Sequence, residues 1–219
     1  MPPSQPNQSI IDGLAVLQAV ASTPEPVGVR ELARQLELEP TRVQRLLGTL
    51  AHLGMTERSP NRKYRPGPGI HVLAAQAMFG SGLLRRAIPI LEDLHRFELA
   101  VSLGVLWRDR VAYLYFAEPG APAAEALGHT KLFPADRSSI GRVLLVATRR
   151  RREPKVRKDG YALADITDKQ RSLAVPVGDP AIAAVAFSGA IRPARVPALV
   201  KALRGAATRI ADASVESPA

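Results

Sequence analysis

The segment that most constrains this chain runs from residue 40 to residue 54. Val43, Leu46, Leu47, Leu50 and Leu53 recur at i, i+3, i+4, i+7 and i+10, the spacing that lines one face of a helix. Pro40 stands where a first helical turn tolerates proline, and Gly54 stands where a helix end favours a left-handed residue. Off the apolar stripe lie Thr41, Arg42, Gln44, Arg45, Gly48 and Thr49. Arginine forks onto guanine, glutamine onto adenine, and threonine onto either base or phosphate. A short helix with one apolar face and these side chains near its N-terminus is suited to the DNA major groove.

The flanks extend the pattern. Ile10, Ile11, Leu14, Leu17 and Ala21 predict an amphipathic helix over residues 9–22, with Ser9 as its N-cap and Pro24 and Pro26 closing it. A second short helix over Val29–Leu36 is expected to bury Leu32, Ala33 and Leu36. After Gly54, Met55–Arg58 and Arg62–Arg65 read as two short strands around the turn Ser59-Pro60-Asn61. Their basic residues suit phosphate or the minor groove. Residues 9–67 thus read as a winged helix-turn-helix, with Arg30, Thr41, Arg42, Gln44, Arg45, Thr49, Arg62, Lys63 and Arg65 as DNA-contact candidates. A small helical bundle with an arginine-rich solvated face is the competing reading at this point.

Residues 28–70 resemble the N-terminal domain of the IclR family of bacterial regulators. The match rests on Glu31-Leu32-Ala33, Arg45-Leu46-Leu47, Leu50, Leu53-Gly54 and Tyr64-Arg65-Pro66-Gly67. The resemblance implies a transcriptional regulator that binds a pseudo-palindromic operator as a homodimer or a dimer of dimers. Arg42 and Gln44 depart from the residues usual in the family at two reading positions, which leaves the operator sequence open.

Composition narrows the classes further. The net charge of +10 suits a polyanionic partner, although the excess of Arg over Lys is also what G+C-rich coding produces. With no cysteine there is no disulfide, thiolate metal site or cysteine nucleophile. The sequence has no apolar run long enough to span a membrane, and a cytoplasmic location is expected. Residues 1–8 read as a disordered tail rather than a signal peptide. His52, His71, His95 and His129 are scattered, with His95 and Glu98 reading as a surface pair, so neither a metal nor a cofactor is expected. No nucleophile elbow, P-loop or dinucleotide fingerprint is present, which argues against an enzyme.

Beyond residue 67 a linker helix is expected over residues 68–82, its apolar part Ile70–Phe79, followed by a flexible joint at Gly80-Ser81-Gly82. A helix over Leu83–Glu98 comes next, with Leu84, Ile88, Leu91 and Leu94 on its buried face. Two hairpins are then predicted, Leu99–Trp107 with Val111–Ala117 and Leu173–Val177 with Ile182–Phe187, with helices over Ser138–Thr148 and Ala194–Ala213. The fold class is α+β: a winged helix-turn-helix and, over residues 83–219, an antiparallel-sheet (GAF-like) domain. The resemblance implies that this second domain binds a small organic acid effector, aromatic acids included. By the same likeness the pocket residues are Ser138, Ser139, Ile140 and Gly141 at a strand-to-helix turn, with Asp165, Ser172 and Ser188. On residues alone, Ser138 caps the helix with or without a ligand. The basic run of residues 149–158 stands where the family has a longer helical segment. It reads as a solvated connector, with a second phosphate contact as the other reading. A shortened lid keeps open the alternative of a DNA-binding regulator without an effector, controlled by a protein partner or constitutively bound.

Overall fold

The structure is a computed structural model that describes residues 5–121, 126 and 132–212. The first residues of the expected tail, residues 1–4, and His129 lie outside the described residues. The chain divides into two compact units, Met1–Gly80 and Ser81–Ala219.

Among the described residues the first unit holds four helices and a two-stranded hairpin. Helix α1 spans Gln8–Ala21, α2 Val29–Leu36 and α3 Pro40–His52; strands β1 (Thr56–Arg58) and β2 (Tyr64–Pro66) form the wing. Asn7, not Ser9, caps α1: its side chain accepts the N–H groups of Ser9 and Ile10. The buried face of α1 also differs from the one expected. Asp12, Val16, Ala19 and Val20 point inward, while Ile10 and Leu14 are about half or more exposed. The core is Val16, Val20, Val27, Leu32, Val43, Leu47 and Tyr64. An isolated bridge between Val27 and Tyr64 ties the start of α2 to the wing. Gly54, at φ +70°, lets the chain leave α3, and its carbonyl accepts Gly69 N–H. Gly67 packs directly on that carbonyl, where a side chain has no room. Helix α4 spans Pro68–Ser81 and buries none of its residues within its own unit; Val72, Leu73, Met78 and Phe79 are exposed. It runs through Gly80 and Ser81, so the expected joint reduces to Gly82, at φ +58°.

The second unit is built on a six-stranded antiparallel sheet in the order β5-β4-β3-β8-β7-β6. Its strands are β3 (Ala100–Trp107), β4 (Arg110–Ala117), β5 (Leu132–Pro134), β6 (Ala162–Asp165), β7 (Arg171–Val177) and β8 (Ala183–Gly189). Both predicted hairpins are present; the edge strands β5 and β6 were not expected. Helices α5 (Leu83–Asp93) and α8 (Val196–Asp212) cover one face, and α6 (Ser139–Ala147) with the short α7 (Pro154–Asp159) covers the other. The expected single helix to Glu98 ends at Asp93 and continues as a 3-10 turn, Leu94–Phe97. This turn places His95 against the Tyr115 hydroxyl at 2.9 Å, so His95 is not half of a surface pair with Glu98.

Strand alternation explains why the two faces differ. Leu173, Val175 and Val177 of β7 and Val185 and Phe187 of β8 face α5 and α8. The intervening Ala174, Ala184 and Ala186 face α6. Large side chains thus build a thick core on one side, and alanines let α6 lie close on the other. Gly141 completes that approach, because its Cα rests on the Ala135 backbone.

Candidate functional site

The first surface is the outward face of α3 with the wing. Thr41, Gln44, Arg45, Gly48 and Thr49 are exposed, and the Cβ position of Gly48 faces open space. Arg45 thus stands on a face that carries no core. Gln44 Nε2 donates to the Tyr64 hydroxyl at 3.1 Å, which steadies its side chain against the wing. Thr49 Oγ1 donates back to the Arg45 carbonyl. Arg30, on α2, is exposed.

Arg42 is the correction. It does not share a free face with Arg45 but turns toward α1, where its Nη2 lies 2.6 Å from Asp12 Oδ2. Asp12 is 5% exposed, and its other oxygen accepts Gln8 Nε2 at 2.7 Å. A carboxylate so far out of water demands a counter-charge, and Arg42 supplies it. Asp12 escaped the sequence reading because it sits on what looked like the polar side of α1. The only signal was an acidic residue one helical step from buried Val16.

In the wing, Arg62 (φ +62°) and Lys63 are exposed at the turn, which Ser59 Oγ closes onto the Lys63 carbonyl. Arg65 differs: its Nε and Nη2 both donate to Glu57 Oε2, at 3.0 and 2.9 Å. Its guanidinium is already paired within the hairpin, so its expected phosphate contact is in competition with Glu57.

The second site is a cavity of about 510 Å³ in the other unit. Its floor is a registered row: Ala164 of β6 pairs with Ser172 of β7, Ser172 with Ser188 of β8, and Ser188 with Ala100 of β3. Small side chains at four neighbouring positions leave the sheet uncovered beyond the N-terminus of α6. Ser139 Oγ lies 2.6 Å from Ser172 Oγ, and Ser188 Oγ donates to Ser172 Oγ at 3.1 Å. Ser138 caps α6 by accepting Gly141 N–H at 2.9 Å. Tyr113, Phe116 and Phe133 wall the cavity, and Arg137 lines it beside the helix end. Burial holds the Tyr113 hydroxyl above its ordinary range, against a smaller lowering by its hydrogen bond with Ser138, so it stays a neutral donor. Asp165 also lines the cavity, but its carboxylate accepts Arg171 Nε at 2.9 Å.

Five of the seven predicted pocket residues therefore converge: Ser138, Ser139, Asp165, Ser172 and Ser188. Ile140 and Gly141 do not line the cavity. Helical geometry turns Ile140 into the core with Val111 and Leu144, and Gly141 backs onto Ala135. Of the aromatic wall, Phe133 was missed because it lies on a three-residue edge strand, too short for alternation to be read. Tyr113 and Phe116 lie on the expected β4 but carried no signal of a pocket. Among the described residues no cluster of three metal-ligating side chains occurs, and no helix is long and apolar enough to cross a membrane.

Residues 9–60 match the family model of the IclR helix-turn-helix domain. The chain carries an IclR-family helix-turn-helix domain. The HTH-type transcriptional regulator BhcR of Paracoccus denitrificans (strain Pd 1222) is 33% identical over 111 residues, 50% of this chain. The chain matches only 37% of the length of that relative. Solved structures extend the likeness in fold across both units. An IclR-type regulator from Silicibacter sp. TM1040 has a TM-score of 0.79 at 19% identity, over 96% of this chain and 98% of that one. One from Alicyclobacillus acidocaldarius has a TM-score of 0.73 at 21% identity, over 96% and 100%. An IclR homologue from Microbacterium hydrocarbonoxydans, in complex with 4-hydroxybenzoate, has a TM-score of 0.71 at 20% identity, over 95% and 100%. The α+β architecture, helix-turn-helix followed by a curled antiparallel sheet, is that of IclR-type structures. The proteins matched are regulators rather than enzymes.

Proposed function

We propose that this IclR-type chain is a transcriptional regulator whose operator binding responds to a small organic acid, an aromatic carboxylate in the first instance. One observation carries the reading. A polar, basic reading helix occupies one unit, and in the other five residues singled out from the sequence meet in one cavity. In this reading α3 enters the major groove with Arg45, Gln44 and Thr41 near base edges, and Arg62 and Lys63 of the wing hold phosphate. The ligand's carboxylate meets Arg137 and the Ser138–Ser139 end of α6, where free N–H groups and the helix dipole favour an anion. Its ring lies against Tyr113, Phe116 and Phe133, over the serine floor. The complex of the Microbacterium hydrocarbonoxydans homologue with 4-hydroxybenzoate supports this class of ligand. The exposed Val72, Leu73 and Phe79 of α4 suit a second copy of the chain, so a homodimer, or a dimer of dimers, presents paired helices to a pseudo-palindrome.

Selection of bound fragments from genomic DNA, followed by thermal denaturation with 4-hydroxybenzoate and other small carboxylates, tests both halves. Binding to the native state raises the melting temperature by mass action. The expected result is a palindromic site and a ligand-dependent rise that Ser172→Val, which fills the floor, removes. No enriched sequence overturns the regulator. An enriched site with no response to any carboxylate overturns the effector and leaves a regulator without one.

A further inference from the structure

A strongly charged surface left unused by this reading lies in the second unit, around the C-terminal end of α6. The helix is closed by a tight wrap: Arg149 N–H donates to the Val146 carbonyl, and Arg150 and Arg151 N–H both donate to the Leu145 carbonyl. Arg149 holds φ +59° to make that turn. Three of the four consecutive arginines of residues 149–152 are thus pinned by backbone hydrogen bonds rather than strung along an open connector, and all four are exposed. Helix α7 anchors the next stretch through buried Val156 and presents Lys155, Arg157 and Lys158 to solvent. Arg150 Nη1 donates to the Arg108 carbonyl at 2.9 Å, which brings the β3–β4 turn, with exposed Arg108 and Arg110, alongside.

Little acidic charge answers this array. Glu153 is engaged by Arg142 at 2.6 Å and Arg151 at 2.8 Å, and Arg142 holds its carboxyl below the usual range. Asp109 is 3.7 Å from Arg110, and Asp159, the last residue of α7, is the other carboxylate beside the array. Like charges held this close repel one another, and a polyanion relieves that repulsion while releasing its own counterions.

We propose that this surface holds the phosphate backbone of double-stranded DNA, as a second, sequence-independent contact outside the winged domain. It rests on the DNA-binding reading above. The array is mainly guanidinium, whose planar fork matches phosphate oxygens. Once the winged domain is bound, the effective concentration of duplex near the rest of the chain is high, so weak contacts count. An anionic membrane asks for apolar anchors beside the basic residues. Here Val156 is buried, and Trp107, 38% exposed, has its ring faced by the Arg108 guanidinium at 5.0 Å.

The test uses the full chain on a random-sequence duplex, with affinity followed by fluorescence anisotropy against salt. The variant combines Arg149→Gln, Arg152→Gln, Lys155→Gln and Lys158→Gln, which spares the structural contacts of Arg150 and Arg151. Each lost phosphate contact lowers the slope of log K against log salt by about 0.9. The expected result is a slope shallower by roughly two to four units at an unchanged melting temperature. A slope equal to wild type in a natively folded variant overturns the proposal. A variant that loses its fold is replaced by photo-crosslinking of wild type to duplex. Adducts on residues 149–158 support the proposal, and adducts confined to residues 9–67 overturn it. Salt-sensitive binding of poly-glutamate that the variant loses, with DNA binding intact, overturns it in favour of an acidic protein. A parallel Arg62→Gln/Lys63→Gln variant separates the two readings. If it weakens DNA binding and the array variant does not, the array alone fails; if wild type binds no duplex, both fail.

Discussion

Arg42→Ala separates two accounts of α3. If Arg42 reads a base, its removal relaxes sequence preference and leaves stability alone. The geometry dictates the opposite: the guanidinium neutralises Asp12, which is 5% exposed, from 2.6 Å away. Stripping one partner from a fully buried pair costs about 3–5 kcal/mol, and an exposed pair is worth about 0–1 kcal/mol. Here the carboxylate is buried while the Arg42 side chain is 41% exposed, so the cost lies between, about 2 kcal/mol. For a domain of 60–100 residues each kcal/mol moves the melting temperature by about 4–8 °C, which gives a fall of about 8–16 °C. Circular dichroism of wild type, Arg42→Ala and Arg45→Ala measures it, with Asp12→Asn/Arg42→Ala as the fourth corner. The double variant should recover most of the loss, because the amide no longer needs a counter-charge. Arg45→Ala should melt close to wild type and lose DNA affinity. An Arg42→Ala protein that melts with wild type and shows altered base preference on random duplexes refutes the argument, and would mean that the pair with Asp12 opens on DNA.

Two further outcomes follow from individual contacts. Arg62→Gln and Lys63→Gln should each reduce the salt slope of DNA binding by about one unit, and Arg65→Gln by less, because Glu57 already holds that guanidinium; anisotropy titrations at several salt concentrations rank the three. Glu153 has its pKa lowered in the folded state, first by the hydrogen bond from Arg142, so its stabilisation is present above the ordinary value of 4.5 and is lost as pH falls through the lowered one. The stability gap between wild type and Glu153→Gln should therefore be full at neutral pH and close below pH 4.5; a gap that widens in acid denies the ion pair its role.

Where periodicity is long and unambiguous, the sequence was enough to determine the elements. The stripe of Val43, Leu46, Leu47 and Leu50 specifies α3, the Arg108–Asp109 and Gly178–Asp179–Pro180 turns specify two hairpins, and Ser138 specifies the start of α6. Each is a local signal, written in residues a few positions apart. The convergence of Ser138, Ser139, Ser172 and Ser188 was legible only through likeness to a family, since no spacing along the chain announces it. Its physical basis is strand register, which sets Ser172 opposite Ser188 and Ala164 opposite Ser172. What only the tertiary structure decided are the choices between two faces of one helix. Ile10 and Leu14 lie outward and Asp12 inward, because α3 offers Asp12 a guanidinium that no inspection of α1 alone reveals. Ile140 turns to the core while Ser139 beside it meets the cavity, because α6 rests its Ile140, Val143 and Leu144 side on the alanine-lined face of the sheet. Local sequence sets which segments are helical or extended. Which face is buried depends on the partner it packs against, and that partner lies far away in the chain.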